Sequence, residues 1–342
     1  MRLVVVGATG AVGTQMLAIL EQRGFSADQI VPVASARSAG RKVAFGPEEI
    51  EVIALADDVF QDGDLALFDV PDEISEVWAP VAAARGAIAI DNSGAFRMDD
   101  EVPLVVPEVN PAAAHERPKG IIASPNCTTL AMVVPLAALH RVVPVERLIL
   151  SSYQAASGAG MSGVDELWDQ IQRAAKQPDE VRDGQAGEVL DGGETFVHPI
   201  ALNIIPRCGS VKEDGYTSEE LKLCRETRKI LSLPELPVTA TCVRVPVMVG
   251  HGVAVHAEFA RALHLDAARR ALEEADGVEV LDDVHNDVYP TPLDAAGKDP
   301  CFVGRLRRDL FNDRALEFFC VADNLRKGAA LNTVQIAELL LK

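Results

Sequence analysis

At 342 residues the chain is long enough for about two domains with hydrophobic cores of their own, and its 48% hydrophobic and 24% charged residues exclude bulk disorder and collagen-like structure. Lys and Arg number 32 against 51 Asp and Glu, a formal net charge of −19, which argues against nucleic acid or an anionic membrane as partner. Any anionic ligand must be drawn by a few local cations in a confined pocket.

The chain opens with LVVVG, a β-branched apolar run, then GATGAVG, then Val12, Met16, Ile19 and Leu20 at helical spacing, which reads as strand, glycine turn and helix. Further strands are predicted at IVPVAS, LALFDV and AIAID, separated by helix-forming stretches such as PDEISEVWAPVAAARG. This alternation implies βαβ units and a parallel sheet buried on both faces. Near 125–130, SPNCTT leads into LAMVVPLAALH, a helix that Pro135 should kink or interrupt. Next come a strand in LILSSYQAASGAG, a helix from Gly163 to about Ala175, and a polar loop over 176–195. TCVRVPVMV and GVAVHAEFA are predicted as neighbouring strands of a mixed or antiparallel second domain. The apolar helix beginning near Gly328 should pack back on the first domain. The expected division is 1–126 with 324–342 for nucleotide binding, and 127–323 for catalysis and dimerisation.

The uncharged stretches 3–20 and 120–140 approach a bilayer span in length. Glycines, threonines and a glutamine break the first, and Pro125, Asn126 and Pro135 the second, so both are expected in cores. Met1-Arg2 before an apolar run resembles a secretory signal only superficially. Cys127, Cys208, Cys224, Cys242, Cys301 and Cys320 include no CxxC pair and no zinc spacing, which predicts reduced thiols, no metal site and a cytoplasmic chain.

Gly7, Gly10 and Gly13 between strand and helix would let backbone N–H groups approach a pyrophosphate. The second strand ends without the acidic residue that usually holds an NAD ribose. It offers Ser35, Arg37, Ser38, Arg41 and Lys42 instead, donors suited to the 2′-phosphate of NADP. Cys127, just before a helix, is a candidate nucleophile whose thiolate the helix N-terminus would favour. His251, between two glycines, is the candidate base.

The segments GATGAVG, DNSGAFR (91–97), PNCTT (125–129), YQAASGAG (153–160), SEELKLCRETRKI (218–230), CVRVPVMVGH (242–251) and DNLRKGAALN (323–332) together resemble the aspartate-β-semialdehyde dehydrogenases, in that family's order and over nearly the whole chain. The resemblance implies a glyceraldehyde-3-phosphate dehydrogenase-like enzyme, with a Rossmann-type domain and a mixed α+β catalytic and dimerisation domain, forming a homodimer. It implies NADPH-dependent reductive dephosphorylation of L-aspartyl 4-phosphate to the 4-semialdehyde through a thioester on Cys127. That step belongs to the biosynthesis of lysine (through diaminopimelate), threonine, methionine and isoleucine. His251 would be the acid/base and Gln154 would orient the reacting groups. Arg244 would hold the α-carboxylate, Glu219 the amino group, and Arg97, Asn126 and Lys222 the phosphate. Cofactor contacts would come from Gly7, Thr9, Gly10, Ala11, Val12 and Gly13, from Ser35, Arg37 and Ser38, and from Ser157, Gly158 and Asn324. Glu219 and Lys222, three apart behind a Thr217–Glu220 capping box, would point the same way.

The chain departs from the family pattern where DVPDEIS (69–75) replaces the common SAGGSVS, setting acidic residues where the cofactor is expected. Gly94 and Gly252 stand where serines are frequent. Two alternatives accompany this reading, an N-acetylglutamyl-phosphate reductase and a catalytically silent relative. The free-amine partner Glu219 argues against the first, and the joint presence of Cys127, Gln154, Arg244 and His251 against the second.

Overall fold

The structure is a computed structural model and describes residues 2–341. In chain order it runs β1 (Leu3–Val6), α1 (Ala11–Gln22), β2 (Ile30–Ala34), β3 (Lys42–Phe45), β4 (Glu48–Glu51), β5 (Ile53–Ala54), β6 (Leu65–Phe68), α2 (Asp72–Ala84), β7 (Ile88–Asp91) and β8 (Ile121–Ala123). There follow α3 (Cys127–Val142), β9 (Val145–Gln154), α4 (Met161–Ala175), the short α5 (Pro178–Arg182) and α6 (Ala186–Val189), and α7 (Ser218–Ile230). The chain continues with β10 (Val238–Arg244), β11 (His251–Phe259), α8 (Leu265–Glu273), β12 (Val278–Val280), α9 (Pro292–Ala295), β13 (Cys301–Arg308), β14 (Ala315–Ala322) and α10 (Leu331–Leu341). Two compact units divide the chain. One is Met1–Leu130 with Arg225–Pro234 and Leu325–Lys342, and the other is Ala131–Cys224 with Glu235–Asn324. The stretch Arg225–Pro234, which the sequence reading keeps in the second domain, groups with the first.

In the first unit a wholly parallel sheet has the order β5-β2-β1-β6-β7-β8. The winding direction reverses between β1 and β6, and such a reversal opens a crevice beyond the carboxyl ends of those strands. Burial on both faces explains why LVVV and LALF carry no polar alternation, every residue of both being buried. Met16, Leu17 and Leu20 of α1 pack with Leu3, Val5, Leu65 and Leu67. The same core takes Leu331, Val334, Ile336 and Ala337, so the C-terminal helix returns to the first unit as its apolar pattern requires. Lys327, 1% exposed, enters with it, and its Nζ lies 2.7 Å from Glu108 Oε2, 2.8 Å from Gln335 Oε1 and 3.1 Å from Asn332 Oδ1. These acceptors offset the cost of burying the ammonium.

The second unit holds a mixed sheet of order β10-β9-β11-β14-β13-β12. β10 and β11, predicted as neighbours, are not paired with each other. β9 lies between them, parallel to β10 and antiparallel to β11, since the long helical connection from β9 to β10 allows the parallel pairing that a tight turn cannot. Alternation sets Val253, Val255, Ala257 and Phe259 of β11 inside. The opposite face carries Ile149 and Tyr153 of β9, 37% and 42% exposed.

Two further expectations change. α3 runs unbroken through Pro135. Residues 130–139 are all buried wherever they point, and that packing offsets the hydrogen bond a proline cannot donate. The predicted loop over 176–195 contains the short helices α5 and α6. Among the described residues, no helix is long and apolar enough to cross a membrane.

Candidate active site

The crevice at the β1/β6 reversal is a cavity of about 420 Å³, lined by Gly7, Thr9 and Gly10 after β1, Ser35 and Ala36 after β2, Leu55 after β5, and Asp69, Val70, Pro71, Ile74 and Trp78. Gly7 has φ +97°, and a Cβ on it would lie 2.0 Å from the Asp69 carbonyl oxygen. A Cβ on Gly13 would lie 2.1 Å from the Gly7 oxygen, so glycine there lets α1 close onto the turn. Ala11 and Val12 open α1. Arg37 is exposed on the 3₁₀ turn Ala36–Ser38, while Ser38 is buried and donates its N–H to the Ser35 carbonyl at 2.8 Å. Arg41 is also exposed, and Lys42 faces Glu49 across the β3–β4 hairpin at 3.6 Å. An apolar wall, a glycine turn and the hydroxyls of Thr9 and Ser35 fit a dinucleotide.

The acidic replacement at 69–75 has local partners. Asp72 Oδ1 accepts the Gly94 N–H at 2.8 Å, and a Cβ on Gly94 would stand 2.9 Å from Asp72 Oδ2, the end of an exposed side chain. Ser75 donates to the buried Asp91 at 2.6 Å. Of the acidic residues in this segment, only Asp69 lines the cavity. Burial pushes its carboxyl above the ordinary carboxylate range, against the hydrogen bond from Asn92 Nδ2 at 3.0 Å. A Cβ on Gly252 would meet the end of the partly exposed Phe319 ring at 2.7 Å, so a side chain there requires that ring to shift.

Also in the first unit, Cys127 is the first residue of α3. Asn126 caps that helix, its Oδ1 accepting the Thr128 N–H at 2.9 Å. Cys127 is partly exposed, whereas the other five cysteines are buried, and all six stand outside disulfides. Burial lifts the thiols of Cys242 and Cys320 far above the ordinary range. Arg97 is brought to the same turn. Its Nε donates to the Ser124 carbonyl at 2.9 Å, its Nη2 to the Asn92 carbonyl at 2.7 Å, and its Nη1 to Glu226 Oε1 at 3.1 Å. Glu226 Oε2 accepts the Asn126 N–H at 2.7 Å. The sequence reading passed over Glu226, although its place four residues after Lys222 on α7 was a usable signal.

The second unit gathers the other predicted residues. His251 is wholly buried, and its Nδ1 accepts the Ala155 N–H at 3.0 Å. A neutral imidazole so held carries its proton on Nε2, and that atom is buried without a hydrogen-bond partner among the described residues. Burial, helped by the charge of Arg244, pushes the His251 pKa down to about 3. Arg244 donates to the Ala155 carbonyl at 2.6 Å and lies over the Phe196 ring at 5.9 Å. A Cβ on Gly158 would fall 2.5 Å from Arg244 Nη1 and 2.9 Å from His251 Nε2, so glycine leaves the space in front of both groups. Asn324 joins Ser157 and the Gly250 N–H at 2.9 and 2.8 Å, bracing the turn before His251. Gln154 is buried and donates to Ser152 Oγ at 3.2 Å. The Thr217–Glu220 capping box is present, and behind it Lys222 pairs with Glu219 at 2.7 Å.

A family profile described as "Semialdehyde dehydrogenase, NAD binding domain" matches residues 2–117, and one described as "Semialdehyde dehydrogenase, dimerisation domain" matches residues 136–327. Aspartate-semialdehyde dehydrogenase of Corynebacterium glutamicum is 49% identical, covering 99% of this chain and 98% of the relative. That of Bacillus subtilis is 45% identical, over 99% and 96%. The solved aspartate semialdehyde dehydrogenase II of Vibrio cholerae, complexed with ASA, superposes with a TM-score of 0.91 at 40% identity, covering 99% of this chain and 98% of that one. On profile, sequence and structure together, the chain belongs to the aspartate-semialdehyde dehydrogenase family.

Proposed function

We propose that the chain reduces L-aspartyl 4-phosphate to L-aspartate 4-semialdehyde with loss of phosphate, on the route to lysine, threonine, methionine and isoleucine, in a reducing cytoplasm. The Cys127 sulfur attacks the acyl carbon, and the carbon–oxygen bond to phosphate breaks as the tetrahedral oxyanion collapses to a thioester. The N–H groups at the head of α3 are the donors for that oxyanion. NADPH, when bound, supplies the hydride that reduces the thioester. Cys127 attacks as the thiolate favoured at the head of α3, and the released phosphate takes a proton from solvent. The Nε2–H of His251 donates a hydrogen bond to the oxygen or sulfur that becomes negative, so that the thiolate freed by hydride transfer is ready for the next turnover. Gln154 keeps the reacting groups aligned.

Binding is divided by charge. Arg244 takes the α-carboxylate through its guanidinium fork and Glu219 the ammonium. Arg97, Asn126 and Lys222 take the phosphate. Three of the five N–H groups of Arg97 meet protein acceptors, and the other two remain to meet an anion. Gly7, Thr9, Gly10, Ala11, Val12 and Gly13 cradle the pyrophosphate. Ser35, Arg37 and Ser38 favour NADP over NAD, with Ser157, Gly158 and Asn324 at the nicotinamide end. Two copies pair through the second unit as a homodimer.

The observation that carries this reading is the single partly exposed cysteine, at the head of a capped helix beside a pinned arginine. The test is phosphate-dependent NADP reduction with aspartate semialdehyde, run beside N-acetylglutamate semialdehyde. Turnover of the first substrate alone, lost in Cys127→Ala, is expected. Absence of NADPH formation from aspartate semialdehyde overturns the reading.

A further inference from the structure

We propose that Glu226 is a positioning residue, whose single carboxylate sets the guanidinium of Arg97 and the backbone of Asn126 in one fixed relation and so shapes the phosphate pocket beside Cys127. The proposal rests on the reading of Arg97 and Asn126 as phosphate ligands.

Glu226 is 1% exposed, and both of its oxygens are engaged. Oε1 accepts from Arg97 Nη1 at 3.1 Å and Oε2 from the Asn126 N–H at 2.7 Å. The pairing of β7 with β8 and the Asn92 and Ser124 carbonyls bring Arg97 near the head of α3, and the Glu226 carboxylate adds the one bond that ties its guanidinium to the Asn126 backbone. A buried ion pair adds little net stability over apolar packing. Its geometric effect is large, because the guanidinium is held at three points and one of them, the Ser124 carbonyl, lies two residues before Asn126.

One turn further along α7, Lys229 Nζ donates to the carbonyls of Arg97, Asp99 and Val102 at 2.9, 2.7 and 2.8 Å. Burial lowers its pKa, against the pull of Asp100 and Asp99. Arg97 is therefore fixed from two sides, its side chain by Glu226 and its main chain by Lys229. Glu219, Lys222, Glu226 and Lys229 follow one another at helical spacing, as one polar stripe. The first two are the proposed direct contacts to substrate, and the second two hold the contacts that other segments supply.

Glu226→Gln keeps the shape but turns an N–H₂ toward one of two donors, so one bond becomes a clash of like groups. Rates are measured against phosphate in the native protein, in Glu226→Gln and in Lys229→Met, normalised to the Cys127 titrated by iodoacetamide. Alkylation of Cys127 is also timed with and without phosphate. Glu226→Gln is expected to raise the phosphate KM about tenfold or more, to leave the aspartate semialdehyde KM within about twofold, and to weaken phosphate protection of Cys127 by the same factor. Lys229→Met is expected to shift the same quantities less, and it decides the matter if Glu226→Gln does not fold.

Unchanged constants per titrated site, with only fewer sites or a lower Tm, would overturn the proposal. So would an equal rise in KM for all ligands, or native protein in which phosphate gives no protection. Protection that is present in the native protein and lost in Glu226→Gln, with no turnover in either, sinks the dehydrogenase reading and supports this one.

Discussion

His251 is an uncharged imidazole sealed from water, and its pKa of about 3 ties stability to pH. Its ordinary value is about 6.5. In the window between the two values the unfolded chain takes a proton that the folded chain refuses, so stability falls as pH falls. The contribution is whole above about pH 6.5 and shrinks by roughly 1 kcal/mol per pH unit below it. Urea unfolding from neutral pH to about pH 5 should show that slope in the native protein and a shallower one in His251→Gln; equal slopes would remove the sealed imidazole as its source. The placing of this histidine was legible because Gly250 and Gly252 flank it, and Cys127 because an apolar helix follows it. Glu226 was harder to see, as its partner Arg97 is 129 positions away and local spacing says nothing of such a pairing.

At the scale of elements, the strand–glycine turn–helix opening and the alternating runs after it were readable, since a parallel sheet buried on both faces leaves continuous apolar strands. The neighbours of β10 and β11 were not, because period-2 alternation gives a strand its face and not its place in the sheet. The segment between β6 and α2 shows how a local departure is absorbed. Asp72 and Ser75 acquire polar partners, and Asp69 alone faces the crevice with a raised pKa. Ionised, Asp69 would repel a pyrophosphate, so NADP affinity should weaken as pH rises through its pKa. Fluorescence titration of NADPH over pH should show this decline in the native protein. Asp69→Ser should bind about tenfold more tightly at the alkaline end and lose most of the pH dependence. A variant with the same profile as the native protein would mean that Asn92 and burial already neutralise Asp69.

For the whole molecule, the matched dimerisation domain contains a sheet face with Ile149 and Tyr153 partly exposed. The proposed homodimer covers such a face. Ile149→Lys should convert dimers to monomers in sedimentation velocity, raising the dissociation constant by about a hundredfold or more. Unchanged dimers would place the contact elsewhere. Net charge and composition could exclude nucleic acid but could not point to this face, because the open side of a sheet is defined only once its strands are paired.

The return of α10 to the core of β1 and α1 has a consequence for how the chain is made. Leu3 and Leu17 leave the ribosome long before Val334 and Ile336, which complete their packing. The nucleotide-binding unit thus waits through the synthesis of the second unit with an open apolar seam, and a ribosome stalled before α10 would release a chain fit for chaperone capture rather than for folding.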